Sequence, residues 1–144
     1  MPTESAQRVC PSVYLVSACL VGLRTRYDGS VMRDEACRSK LAEVLWIPVC
    51  PEQLGGLPTP RIAADIIGGD GADVLAGRAR VVRKDGVDVT LEFILGAQQV
   101  LAIACAQPIA GAILKARSPS CGLAPLVGVT AALLISNGIA VQEF

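Results

Sequence analysis

An α/β fold is predicted for this chain: a single three-layer Rossmann-like domain with a mostly parallel sheet and a small β-hairpin excursion. Short apolar runs recur at 13–17, 46–49 and 109–114, each followed by polar or turn residues. Segments of helical period lie between them, and strands that alternate with helices imply parallel pairing with helices on both faces. A turn signal at Asp85-Gly86 separates two partly alternating stretches, which reads as the hairpin.

Taken in order, Val13-Tyr14-Leu15-Val16-Ser17 is the first buried strand, and Asp28-Gly29 closes the polar loop after it. A helix is expected over 33–44, with Ala36, Leu41 and Val44 inward. A second buried strand follows at 46–49. Residues 52–61 hold two prolines and two glycines, so an ordered loop is expected there, where a site is readily built. Gly68-Gly69-Asp70-Gly71 reads as a turn rather than a phosphate cradle, since neither a G-x-G-x-x-G pattern nor a P-loop lysine accompanies it. Thr90 is the expected cap of a helix over 90–106, with Glu92 favoured in its first turn by the helix dipole. A helix this apolar is covered on most sides or forms a subunit contact, so a homodimer is one expectation. The third buried strand spans 109–114. A helix over 130–137 is stopped by Gly138, where the left-handed conformation is cheap, and 139–141 forms an edge strand.

At 144 residues, with 52% apolar and 18% charged side chains, the chain suits one globular domain. Residues 1–12 read as an N-terminal extension and 13–144 as the domain. Basic and acidic residues balance at 13 each, which leaves no electrostatic footprint for nucleic acid. One Trp, two Tyr and two Phe are too few for a base-stacking platform. No apolar stretch approaches a membrane span. The first eight residues contain a Glu and no apolar core, so no secretory signal is expected and the cytoplasm is the expected compartment. There disulfides are rare, and cysteine more often means metal or catalysis.

Six cysteines and no histidine make thiolate chemistry the leading signal. No C-x-x-C pair occurs, so zinc-ribbon and thioredoxin readings lose their main support. Cys10, Cys37 and Cys105 read as small buried hydrophobes or idle thiols. Cys19, Cys50 and Cys121 differ, because each lies just past a predicted strand. In an open parallel sheet, ligands bind outside the carboxyl ends of the strands. The three thiols are therefore expected at one edge, holding a soft metal centre. Glu52 follows Cys50 by two residues, and Ser118 and Ser120 precede Cys121, so a carboxylate and hydroxyls stand beside that edge.

Three segments also carry a family resemblance. They are Val16-Ser17-Ala18-Cys19-Leu20-Val21-Gly22 with Arg26-Tyr27-Asp28-Gly29, then Ile47-Pro48-Val49-Cys50-Pro51-Glu52-Gln53-Leu54-Gly55-Gly56-Leu57-Pro58-Thr59-Pro60-Arg61, and Leu114-Lys115-Ala116-Arg117-Ser118-Pro119-Ser120-Cys121-Gly122. The chain resembles the DUF523 family, which includes thiouracil desulfidases, over nearly everything from Val13 onward. The resemblance implies a [4Fe-4S] cluster held by Cys19, Cys50 and Cys121, with Glu52 and Ser118 at the catalytic positions. Three thiolates leave one iron open, as a catalytic metal requires. The expected reaction is non-redox desulfuration of a thiolated pyrimidine such as 2-thiouracil, giving uracil and hydrogen sulfide. Glu52 is expected to act as general base for water, and Ser118 to relay a proton or position the substrate. Arg61, Arg117, Tyr27 and Asp28 are expected on the same face. One departure from the family pattern is the short bridge 123–127, where a longer Gly-rich segment is usual, and a missing pocket wall is expected to alter substrate choice. The rival readings are a non-catalytic iron–sulfur carrier or sensor, whose fourth ligand is another thiol, Cys10 being the obvious candidate, or a partner's donor, and a metal-free thiol enzyme.

Overall fold

The computed structural model describes residues 12–31 and 34–144. Cys10, and all but the last residue of the expected N-terminal extension, lie outside the described residues. Four strands form one parallel sheet, β1 (Val13–Ser17), β2 (Leu45–Val49), β5 (Gly111–Leu114) and β6 (Val141–Glu143), in the order β2-β1-β5-β6. Parallel neighbours need crossovers. Helix α1 (Glu35–Leu41) lies between β1 and β2, and α5 (Val129–Ser136) between β5 and β6. The connection from β2 to β5 carries α2 (Pro51–Leu54), β3 (Ala64–Ile67), α3 (Gly71–Leu75), β4 (Arg80–Arg83) and α4 (Thr90–Cys105).

Side-chain alternation on the strands produces the layers. Leu15, Val49, Ala112 and Leu114 pack with Val100 and Ala104 of α4 and with Ala131 and Leu134 of α5. Val16 and Ile113 point the other way, onto Cys37 and Leu41 of α1. Helices therefore cover both faces, as the pattern of apolar runs predicts.

Several elements differ from expectation. The β2 run is not a buried strand but the sheet edge, with Leu45, Trp46 and Pro48 exposed. An edge tolerates the missing N–H of Pro48, and an apolar run does not by itself tell an edge from a centre. Helix α1 is shorter than 33–44; Asp34 caps it by accepting from Cys37 N–H at 2.9 Å, and Cys37 turns inward while Ala36 is exposed. The turn at Gly68–Gly71 leads into α3, which has a reciprocal capping box between Asp70 and Asp73. The Asp85-Gly86 turn is present, Gly86 N–H donating to Arg83 O at 2.8 Å. Its second limb, however, makes only an isolated bridge, Val82 to Asp88. The antiparallel strand partner of β4 is β3, whose four residues are too few to show a period. Thr90 does not cap α4 but is its first residue, its Oγ1 accepting from Val81 N–H at 2.9 Å.

The basic residues around the small sheet are all matched. Arg78 pairs with Asp73, Arg80 with Asp88, Arg83 with Asp85 and Lys84 with Asp65. Among the described residues, no helix is long and apolar enough to cross a membrane.

Helix α4 is covered along Phe93, Gly96, Ala97, Val100 and Ala104, while Leu91 and Leu95 stay exposed. Against it lies α2, backbone to backbone. A Cβ at Gly96 would fall 1.9 Å from Pro51 O, and one at Gly55 would fall 2.0 Å from Glu92 O. Gly96→Ala is therefore expected to destabilise the protein by about 1–3 kcal/mol, as overpacking does, because a carbonyl cannot rotate aside. A urea midpoint unchanged from wild type would refute this.

Candidate active site

Because β2, β1 and β5 are adjacent and parallel, the loops leaving their carboxyl ends share one edge. Cys19 sits in the short 3-10 turn Ala18–Leu20 after β1, Cys50 is the N-cap residue of α2 after β2, and Cys121 lies in the loop after β5. All three line one cleft of about 410 Å³, together with Glu52, Ser118 and Arg61. Cys19 and Cys121 are buried and Cys50 is half-buried; all three are free thiols.

The thiols feel one another. Burial pushes the Cys121 thiol up to about 12, against the Ser17 hydroxyl that hydrogen-bonds it, and the charges of Glu52, Cys19 and Cys50 add to the rise. Burial also raises Cys19, as does the neighbouring Cys50, while Lys115 and Arg26 oppose. Lys115, Arg26 and Arg117 line the same cleft, so cationic groups share it with the three thiols.

The Glu52 carboxylate is held from both sides. Arg61 Nε donates to Oε1 at 2.9 Å and Ser120 Oγ donates to Oε2 at 3.2 Å. Glu52 and Arg61 thereby form a largely buried ion pair, 7% exposed at Arg61 and 17% at Glu52. Ser118 Oγ accepts from Ser120 N–H at 3.1 Å and from Cys121 N–H at 3.2 Å, which shapes the ligand loop and leaves its own O–H to donate elsewhere.

That loop is clamped at its far end by α5, whose Val129 and Thr130 N–H groups donate to Pro119 O and Ser120 O at 2.9 and 2.8 Å. Arg117, just before it, adopts φ +62°, a conformation that non-glycine residues rarely take. Gly55, in the second motif, serves the close approach of α2 to α4.

Tyr27 and Arg117 line the cleft as expected, whereas Asp28 does not and instead accepts from Ser30 N–H at 2.9 Å. Cys37 belongs to the core on the α1 side and Cys105 is exposed. The bridge 123–127 does not line the cleft. Ser17, Thr25 and Lys115 are among the lining residues that sequence reasoning missed. Ser17 and Lys115 lie inside the recognised motifs and were legible there; Thr25 contributes a backbone carbonyl, which side-chain identity does not reveal.

Among the described residues, no three His, Cys, Asp or Glu side chains close around a single ion. Three thiols that line one cleft form a donor set for a four-iron core, which takes its thiolates at separate corners, sulfur being the donor that iron–sulfur clusters prefer. The three cysteines thus fit such a group.

Comparison with known proteins agrees with this geometry. The solved structure of the [4Fe-4S]-dependent thiouracil desulfidase TudS (DUF523Vcz) superposes with a TM-score of 0.75 at 37% identity, over 92% of this chain and 90% of that one. The uncharacterized protein YbbK of Bacillus subtilis (strain 168) is 43% identical in an alignment that covers 86% of this chain and 90% of its own length. The 2-thiouracil desulfurase family matches residues 14–143, nearly the whole chain. This protein belongs to the 2-thiouracil desulfurase family.

Proposed function

We propose that this protein exchanges the thiocarbonyl sulfur of a thiolated pyrimidine, such as 2-thiouracil, for the oxygen of water. Uracil and hydrogen sulfide are the products, and no electrons are gained or lost. The observation that carries the reading is the shared cleft: thiols from three adjacent strands face a carboxylate anchored by Arg61 and Ser120.

Cys19, Cys50 and Cys121 hold a [4Fe-4S] cluster. When bound, that group supplies a Lewis acid, through the iron lacking a protein ligand, for the thiocarbonyl sulfur. Glu52 accepts a proton from the attacking water, its carboxylate kept in place by two donors rather than free to rotate. Ser118 orients the ring or returns a proton to it through the O–H that its loop bonds leave available. Lys115 and Arg26 offset negative charge near Cys19.

The test is anaerobic reconstitution followed by a sulfide-release assay across several thiolated bases and nucleosides, with no electron donor added. Release of sulfide in step with the desulfurated base is expected. A protein that holds iron yet releases sulfide from none of them is instead a carrier or sensor. Full activity in iron-free protein would eliminate the cluster from the reaction.

A further inference from the structure

Arg61 spends its whole guanidinium inside the protein. Nε donates to Glu52 Oε1 at 2.9 Å. Nη1 donates to Thr59 Oγ1 at 2.8 Å and to Pro58 O at 3.2 Å. Nη2 donates to Thr25 O at 2.8 Å and reaches Cys50 Sγ at 4.0 Å. A guanidinium has five N–H donors, and here five acceptors receive them. No donor remains for a substrate edge, although the side chain lines the cleft.

We infer that Arg61 is a positioning residue: one rigid fork holds the Glu52 carboxylate and the Cys50 sulfur at a constant separation, and ties both to the Thr25 loop. The inference rests on the roles given above to Glu52 and Cys50. Ser120, buried at 1% exposure, completes the hold from the third ligand loop by donating to Glu52 Oε2. The base is therefore fixed by side chains from the same loops that present the cysteines. Lysine cannot stand in for this arginine, because an ammonium is a point charge and cannot span a planar fork of acceptors.

The experiment compares reconstituted Arg61→Lys, Arg61→Ala and Ser120→Ala with wild type. Arg61→Lys is expected to load as much iron as wild type and to lose kcat on the order of 10²-fold, the scale set by a misplacement of about 1 Å, with KM unchanged. Guanidinium ion at a non-denaturing concentration should restore part of the kcat of Arg61→Ala, whereas ammonium should not. Without substrate, the visible absorption of the loaded cluster and its EPR signal after reduction with dithionite should shift in both Arg61 variants, because an N–H···S contact to one ligand is lost. Ser120→Ala should lower kcat with KM and the cluster signals unchanged, and it tests the hold on Glu52 even if the Arg61 variants fold poorly. A raised KM with unaltered kcat would overturn the inference in favour of substrate contact. Unaltered signals and turnover in Arg61→Lys would overturn it outright. Should wild type release no sulfide from any thiolated base, the proposed reaction fails separately, and the substrate-free spectra still decide the Cys50 link.

Discussion

Cys121→Ala is expected to lose the iron. Wild-type protein should carry about four irons per chain, and the variant close to none, because two thiolates remain where an iron–sulfur cluster ordinarily takes four and this site offers only three. Cys121 suits this test best, being buried to 3% exposure within the loop that Ser118 and α5 hold rigid, so no neighbouring donor can swing into its place. Its thiol is pushed up to about 12 in the metal-free fold, chiefly by burial. A cluster must therefore displace that proton as it binds, and iron uptake should release protons. Cys105→Ala, at an exposed helix end, serves as the control and should keep the full iron content. Wild-type iron in the Cys121→Ala protein would disprove the ligand assignment.

Glu52→Gln should separate chemistry from assembly. The amide keeps the volume and can still accept from Arg61 or Ser120, so the cluster loads normally. It cannot take a proton from water, and turnover is expected to fall by about 10²–10⁴-fold, the usual worth of a general base. Loss of the negative charge also leaves the Arg61 guanidinium, 7% exposed, without its counter-charge. That costs on the order of 1–3 kcal/mol, as for other buried groups stripped of a charged hydrogen-bond partner. Iron content, melting temperature and sulfide release together check the three parts. Undiminished turnover would remove Glu52 from its assigned role.

Much of the fold was legible because its signals are local. The β1 run matches its strand residue for residue, and Gly138 with φ +80° stops α5 as a left-handed residue should. What escaped were elements whose stability is tertiary. Strand β3 is four residues long and exists by pairing with β4; α3 is five residues and exists through its Asp70–Asp73 box and its packing under α5. The edge position of β2 was also hidden, since burial depends on which strands flank it.

The amino-acid order by itself determined the α/β class and singled out three cysteines, because each lies a short distance past an apolar run and inside a long, specific motif. It excluded imidazole from the site equally, there being no histidine. Only the tertiary structure decided how Glu52 is held and what Arg61 does. The Ser120 hydroxyl lies 68 positions from Glu52 along the chain, and the Thr25 carbonyl 36 from Arg61. Contacts at such separations form when parallel strands bring their loops to one edge, and no local pattern encodes them.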